Sequence, residues 1–182
     1  MTQQEILQFA IAEGFQAALI SPEEVPVDFK FRTYCEQNLC GRYGANYACP
    51  PDCGTPEMLH ARLLAERQVL VLETVWVIQN YSDKTAMKQA KNAHNAAVLR
   101  LLQRMRAAGY VGFCAGYNGC PLCPTCKRLE NLPCAHPDER IDCLSSYCVD
   151  VAELAKRCKL SFAWNPNQLH LFGIVAFHAV EA

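Results

Sequence analysis

The spacing of apolar residues along the chain predicts a series of helices. Apolar side chains recur at i, i+3 and i+4 within residues 3–14, 83–108 and 149–158, which places them on one face of a helix. Thr55 and Pro56 are residue types that favour a helix start, and we expect that helix to reach residue 67. Ser82 is the expected N-cap of the long helix, which Gly109 ends.

Other segments have the composition of strands, namely residues 17–20, 25–32, 68–78, 111–115 and 171–180. Residues 25–32 alternate between apolar and polar side chains, which is typical of a half-buried strand. Residues 68–78 are rich in β-branched side chains and suit a central strand. Because strands and helices alternate, we expect an α/β or α+β fold, with residues 1–182 forming one layered domain around a mixed sheet.

Composition and charge narrow the class of protein. Hydrophobic residues make up 51% and charged residues 19% of the 182 residues, which excludes a disordered chain. The net charge of −1 gives no reason to expect nucleic acid or a membrane surface as a partner. The apolar stretches are too short to span a membrane, and the N-terminal residues lack the pattern of a secretory signal. We therefore expect a cytoplasmic protein.

One local charge bias lies on the long predicted helix. It carries an excess of basic side chains: Lys84, Lys88, Lys91, Arg100, Arg104 and Arg106. Such a run usually forms a solvated outer face. The alternative is a docking surface for an acidic redox partner protein.

The cysteine content is the most informative feature of the composition. The chain has 12 cysteines and no recognisable export signal, and in a reducing compartment such a density indicates metal binding or catalysis more often than disulfides. Most of these cysteines fall in two segments without helix or strand periodicity, residues 34–54 and 114–148. We expect both segments to be metal-binding loops that leave the sheet.

The second loop contains Cys120, Cys123 and Cys126 at C-x₂-C-x₂-C spacing, with Cys134 further along. This spacing lets a short loop contact three irons of a [4Fe–4S] cluster, while a more distant cysteine reaches the fourth. Zinc prefers two separated C-x₂-C pairs, because each of two turns supplies two tetrahedral ligands. The pattern therefore favours a cluster.

The first loop contains Cys35, Cys40, Cys49 and Cys53. These thiols are a complete ligand set for one [4Fe–4S] cluster or for one Cys₄ zinc site, and the spacing alone does not choose between them. The preference of thiolates for soft metals and the neighbouring cluster motif favour a cluster here as well.

The other cysteines leave the ligand assignment open. Cys158 lies on the apolar face of its predicted helix, which suggests a buried structural thiol. Cys114 could replace a member of the second set, and Cys143 or Cys148 could supply a distant ligand or a further metal site. For His136, a hydrogen bond within its loop is a better interpretation than metal ligation, because enough thiols are already present.

Several of these elements together resemble a family of small, cysteine-rich predicted metal-binding proteins of bacteria and archaea, common in anaerobes and of unknown function. The resemblance rests on the block from Cys35 to Pro51, on Thr55-Pro56-Glu57, on Gly119-Cys120-x₂-Cys123-x₂-Cys126, on Cys134-x-His136-Pro137 and on Val149-Asp150-Val151. It implies metal binding by Cys35, Cys40, Cys49, Cys120, Cys123, Cys126 and Cys134. It implies no particular activity.

The chain departs from the family pattern at three places. Arg140-Ile141-Asp142-Cys143 stands where the family has an arginine-proline-serine segment, Cys148 occupies a glycine position, and Cys53 is not a fixed family feature. The fourth ligand of the first site therefore remains open among Cys53, Cys143 and Cys148.

These observations predict an iron–sulfur protein that binds two [4Fe–4S] clusters and transfers electrons between partner proteins in anaerobic metabolism. One alternative is a cluster-dependent enzyme, in which an open iron acts as a Lewis acid or a sulfur carrier. Another is a structural or adaptor protein that binds zinc. The sequence contains no P-loop, G-x-G-x-x-G or G-x-S-x-G motif, so it gives no support for nucleotide-dependent or serine-nucleophile chemistry.

Overall fold

The computed structural model describes residues 2–180, and within them the apolar strands form one mixed sheet. In spatial order the strands are β1 (Gln16–Ile20), β2 (Gln68–Val77), β5 (Gln168–Ala179), β3 (Tyr110–Gly116) and β4 (Asp142–Cys143). Neighbouring strands are antiparallel except for β3 and β4, which run parallel with Gly116 opposite Cys143. The expected α+β class with a mixed sheet is confirmed.

Helices cover both faces of this sheet. They are α1 (Gln3–Ala12), α2 (Arg32–Glu36), α3 (Pro56–Leu64), α4 (Lys84–Ala107) and α5 (Val151–Arg157). Leu70 and Leu72 of β2 pack with α1 and α4, whereas Val69 and Val71 pack with α3 and α5. β2 is therefore apolar on both of its faces, which explains its nearly continuous hydrophobic run.

α4 also buries a titratable side chain against the sheet. His94 is fully buried, and its Nδ1 lies 2.8 Å from Oγ1 of Thr74 on β2. Burial lowers the pKa of His94 to about 4, so the imidazole is neutral at pH 7.

Two local predictions are wrong. Residues 25–32 do not form a strand: an isolated bridge joins Val27 to Val149, and Phe29–Phe31 then form a 3₁₀ turn. The cause is the Asp28 carboxylate, which accepts a hydrogen bond from the Lys30 N–H at 3.0 Å and turns the chain.

The second error concerns the start of the long helix. The N-cap of α4 is Asp83 rather than Ser82, because the Asp83 carboxylate accepts the Ala86 N–H at 2.9 Å. The short helix α2 was also not predicted, since it begins at Arg32 in the predicted strand and continues into the segment that lacks periodicity. None of the described helices is both long and apolar enough to cross a membrane.

Candidate metal centres

The two cysteine loops meet at one edge of the sheet. Because β3 and β4 are parallel, their carboxyl ends lie side by side, with Tyr117 following β3 and Cys143 ending β4. The first loop packs onto this edge through Ala48, whose carbonyl accepts the Cys143 N–H at 3.2 Å and the Ser146 hydroxyl at 3.1 Å. Sheet topology therefore brings Cys143 to the cysteines of the first loop.

Cys35, Cys40, Cys49 and Cys143 line a cavity of about 310 Å³, which we call the thiol pocket. The rest of its wall is both apolar and polar: Tyr34, Leu39, Tyr43, Pro50, Tyr117, Arg42, Asn118, Ser145 and Ser146. Cys49 and Cys143 are buried, Cys35 is half-buried and Cys40 is exposed, so the pocket opens to solvent on the side of Cys40. The arrangement combines four soft ligands with aromatic side chains, of which Tyr34, Tyr43 and Tyr117 are partly exposed.

The sulfur of Cys143 is surrounded by hydrogen-bond donors. The Cys49 thiol donates to it, and so do the backbone N–H groups of Ser145 and Gly119, which together lower the pKa of Cys143 despite its burial. The same bond raises the pKa of Cys49. Burial raises the pKa of Cys35 to about 11. Cys143 therefore ionises more readily than Cys35 or Cys49.

The backbone of the second loop approaches the Cys49 sulfur closely at Gly119. Gly119 has a φ of +81°, and a Cβ atom at this position would lie 3.2 Å from Sγ of Cys49. The buried amide of Asn95 on α4 fixes this segment: its Nδ2 donates to the carbonyl of Tyr117 at 2.8 Å, and its Oδ1 accepts the Tyr117 N–H at 2.9 Å. Sequence reasoning missed Asn95, although a polar amide between the apolar positions of α4 was a visible signal.

Cys120 of the second loop is joined to the first loop by a hydrogen bond. The Asn46 amide of the first loop donates to the Cys120 carbonyl at 3.2 Å. Burial raises the pKa of Cys120, whose sulfur accepts the backbone N–H groups of Leu122 and Ile141.

The charges of Cys134 and Cys123 act on the same Cys120 thiol, so these sulfurs are its neighbours. Cys126 lies at the start of a 3₁₀ turn, beside Arg128. Arg128 in turn makes a 2.7 Å ion pair with Asp52 of the first loop.

Cys53 lies outside the thiol pocket, at a second group of thiols beside a buried arginine. Arg32, 8% exposed, donates to the carbonyls of Gly54 at 3.1 Å and Ser146 at 3.3 Å. Burial raises the pKa values of both Cys53 and Cys148, and Arg32 opposes that shift in each. Cys53 and Cys148 are thus neighbours of Arg32, which also acts on Cys35 of the thiol pocket.

Other predicted site residues have structural partners. His136 Nδ1 lies 3.3 Å from the Glu139 carboxylate, as expected for a hydrogen bond within its loop. Cys114 is buried in β3, and Cys158 packs at the margin of the core beside α5. Tyr47 donates its hydroxyl to the Leu132 carbonyl at 2.7 Å and so ties the two loops together.

All cysteines of the described chain carry free thiols. Within residues 2–180, no group of three or more histidine, cysteine, aspartate or glutamate side chains has the geometry to hold a metal ion as it stands.

Comparison with known proteins identifies a family. A search of curated proteins found no match, and neither did a search of solved structures. The model of a family described as predicted metal-binding protein (DUF2284) matches residues 18–177, which include both cysteine loops and nearly the whole sheet. The chain therefore belongs to this family of predicted metal-binding proteins.

Proposed function

We propose that the protein binds two [4Fe–4S] clusters and transfers single electrons between partner proteins. One cluster is held in the thiol pocket by Cys35, Cys40, Cys49 and Cys143. The other is held by the sequence-predicted ligands of the second loop, Cys120, Cys123, Cys126 and Cys134. Family membership supports metal binding. The choice of an iron–sulfur cluster rests on the cysteine thiols at both sites.

The thiol pocket is the observation that carries this proposal. Three cysteines of the first loop and Cys143, which is distant in sequence, line one cavity, and thiolates are the ligands that iron–sulfur clusters use. The N–H groups of Ser145 and Gly119 around the Cys143 sulfur are of the kind that tunes the reduction potential of a bound cluster. A four-thiolate cluster has no open iron, which suits a protein that only carries electrons.

The choice of Cys143 over Cys53 can be tested directly. We expect anaerobically purified wild-type protein to contain the iron and acid-labile sulfide of two clusters. The Cys143→Ser variant should lose the iron of one cluster, whereas Cys53→Ser should keep both. If the two variants behave in the opposite way, Cys53 is the ligand and the pocket assignment is wrong. If both contain full iron, neither is a ligand.

The metal and the activity need separate measurements. Elemental analysis distinguishes iron from zinc, and a protein with stoichiometric zinc and no iron would refute the cluster proposal. Electron transfer predicts that each cluster is reduced and reoxidised reversibly by one electron, followed by electron paramagnetic resonance and visible absorption. A cluster that cannot be reduced without breaking down would exclude this role.

A second candidate is a cluster-dependent enzyme with an open iron. Its support is the exposure of Cys40 together with a basic cavity that shares Arg42 and Tyr117 with the thiol pocket. If Cys40→Ala keeps the full iron content, three thiolates suffice and the fourth iron is open. Loss of one cluster in this variant would favour the electron carrier.

A further inference from the structure

A second cavity lies beside the thiol pocket, between the first turns of α4 and the segment that follows β3. It has a volume of about 410 Å³, and its wall includes Arg42, Lys84, Lys88, Lys91 and Tyr117. We call it the basic cavity. It shares Arg42 and Tyr117 with the thiol pocket, so the two cavities adjoin.

The lysines of the basic cavity are arranged as a group. Lys84, Lys88 and Lys91 follow one another at i, i+4 and i+7 on α4, which puts their side chains on the same helix face. Within residues 2–180, no aspartate or glutamate lines this cavity, and no ion pair involves these three lysines. Their like charges repel one another, with Lys84 and Lys88 exposed to the screening solvent, and a bound anion would relieve this repulsion.

The remaining basic residues of α4 have different surroundings. Arg100 and Arg104 form ion pairs with Glu13 at 3.1 and 3.2 Å. Arg106 donates to the carbonyls of Asp138 and Gly112, each at 3.0 Å. The basic residues of α4 therefore form two groups. Those of the C-terminal half have carboxylate or carbonyl partners, and the three lysines of the N-terminal half line the cavity.

Lys91 is the most enclosed cation of the basic cavity. It is half-buried, and its Nζ lies 4.8 Å from the centre of the Tyr117 ring. Burial lowers the pKa of Lys91. The ring face provides a weak cation–π contact but no negative charge. A bound oxyanion would supply charge-assisted hydrogen bonds to this ammonium group.

We propose that the basic cavity binds a small organic molecule that carries a phosphate or carboxylate group. The cavity volume lies within the range of about 300–1,000 Å³ that is usual for small-molecule sites. A concave site of this size suits a small molecule better than the flat contact of a protein surface. That the anion would lie next to a metal cluster rests on the proposed function. That the lysines bind the anion does not rest on it.

The test uses anaerobically purified full-length protein at low ionic strength, and isothermal titration calorimetry as the measurement. The probes are glycerol 3-phosphate and succinate, which distinguish a phosphate from a carboxylate ligand, and glycerol as the uncharged control. We expect one of the two anions to bind and glycerol not to bind. A double variant, Lys88→Gln with Lys91→Gln, should weaken that binding at least tenfold.

A matched control removes the same charge elsewhere. Lys30 and Lys156 are exposed lysines on other elements, and Lys30→Gln with Lys156→Gln should leave the affinity within twofold of wild type. Equal weakening by both double variants would overturn the proposal, because the effect would then be one of net charge. So would the absence of binding by both anions. Poly-glutamate is titrated as a further probe, and its binding without either small anion would overturn the proposal by indicating a protein-docking face.

Failure of this proposal can be distinguished from failure of the metal proposal. Iron and zinc are measured in the same samples. Protein that contains iron but binds neither anion refutes the basic cavity as a ligand site only. Protein without metal that still binds an anion through Lys88 and Lys91 refutes the metal centre only.

Discussion

Gly119 brings the backbone of the second loop close to the Cys49 sulfur of the thiol pocket. We predict that Gly119→Ala destabilises the protein and also lowers its metal content. An alanine would have to adopt a φ of +81°, which costs an L-residue about 1–2 kcal/mol. In addition, its Cβ would lie 3.2 Å from the buried sulfur of Cys49, closer than ordinary van der Waals contact.

Gly109 provides a matched control for the first of these effects. It has a φ of +86°, and a Cβ there would meet nothing within 4 Å. Gly109→Ala should therefore be destabilised only by the cost of placing an L-residue at positive φ, about 1–2 kcal/mol. Crowding at Cys49 adds about 1–2 kcal/mol in Gly119→Ala. For a chain of this length, that difference lowers the melting temperature of Gly119→Ala about 2–8 °C further than that of Gly109→Ala.

The measurement combines anaerobic calorimetry at a fixed scan rate with iron and sulfide analysis of the same protein. We expect Gly109→Ala to keep the wild-type iron content and Gly119→Ala to lose at least the iron of the thiol pocket. Equal melting temperatures and equal iron contents in the two variants would refute the reasoning, because the close approach of residue 119 to Cys49 would then have no consequence.

Three other predictions concern groups that support the site. Asn95→Leu should lower the free energy of unfolding, measured in urea, by about 1–3 kcal/mol, because the backbone polar groups of Tyr117 lose buried partners. Asn92→Leu, at an exposed position of the same helix, should change this free energy little. Burial depresses the pKa of His94 to about 4, so the unfolded chain binds this proton more readily, and stability should decline by about 3 kcal/mol as the pH falls from 6.5 to 4. His94→Gln should flatten this decline in unfolding curves measured against pH, and an unchanged slope would contradict the assignment. Asp142→Asn removes the carboxylate that pairs with Arg62 at 2.6 Å and should lower the free energy of unfolding by about 1–3 kcal/mol. The loss is smaller than for a fully buried ion pair because the Arg62 side chain is 43% exposed. An unchanged urea midpoint would contradict this prediction.

The regular elements were predictable where burial alone determines the local structure. β2 is buried on both faces over most of its length, and α4 presents one long apolar stripe to the sheet, so both patterns were strong. Residues 25–32 show the limit of this reasoning. Their alternation was genuine, but a single carboxylate, that of Asp28, forms a local turn that competes with strand pairing.

The cysteine loops were recognised from composition, while the grouping of their thiols depends on topology. Cys143 joins Cys35, Cys40 and Cys49 only because β4 pairs in parallel with β3. Each strand contributes only two residues to this pairing, and no local sequence pattern predicts it. Cys53 is near the other three in sequence but lies beside Arg32 in space. Spacing therefore favoured Cys53, whereas the fold places Cys143 at the pocket. Which of them binds metal stays a prediction.

The late position of Cys143 has a consequence for how the protein is made in the cell. A ribosome releases Cys35, Cys40 and Cys49 early, but β4 is held by β3, and β3 pairs with β5, which ends at Ala179. The nascent chain thus exposes three thiols long before their enclosure exists. If the thiol pocket binds metal as proposed, the complete pocket can do so only after β5 has left the ribosome, and until then the early sulfurs depend on the reducing conditions of their surroundings.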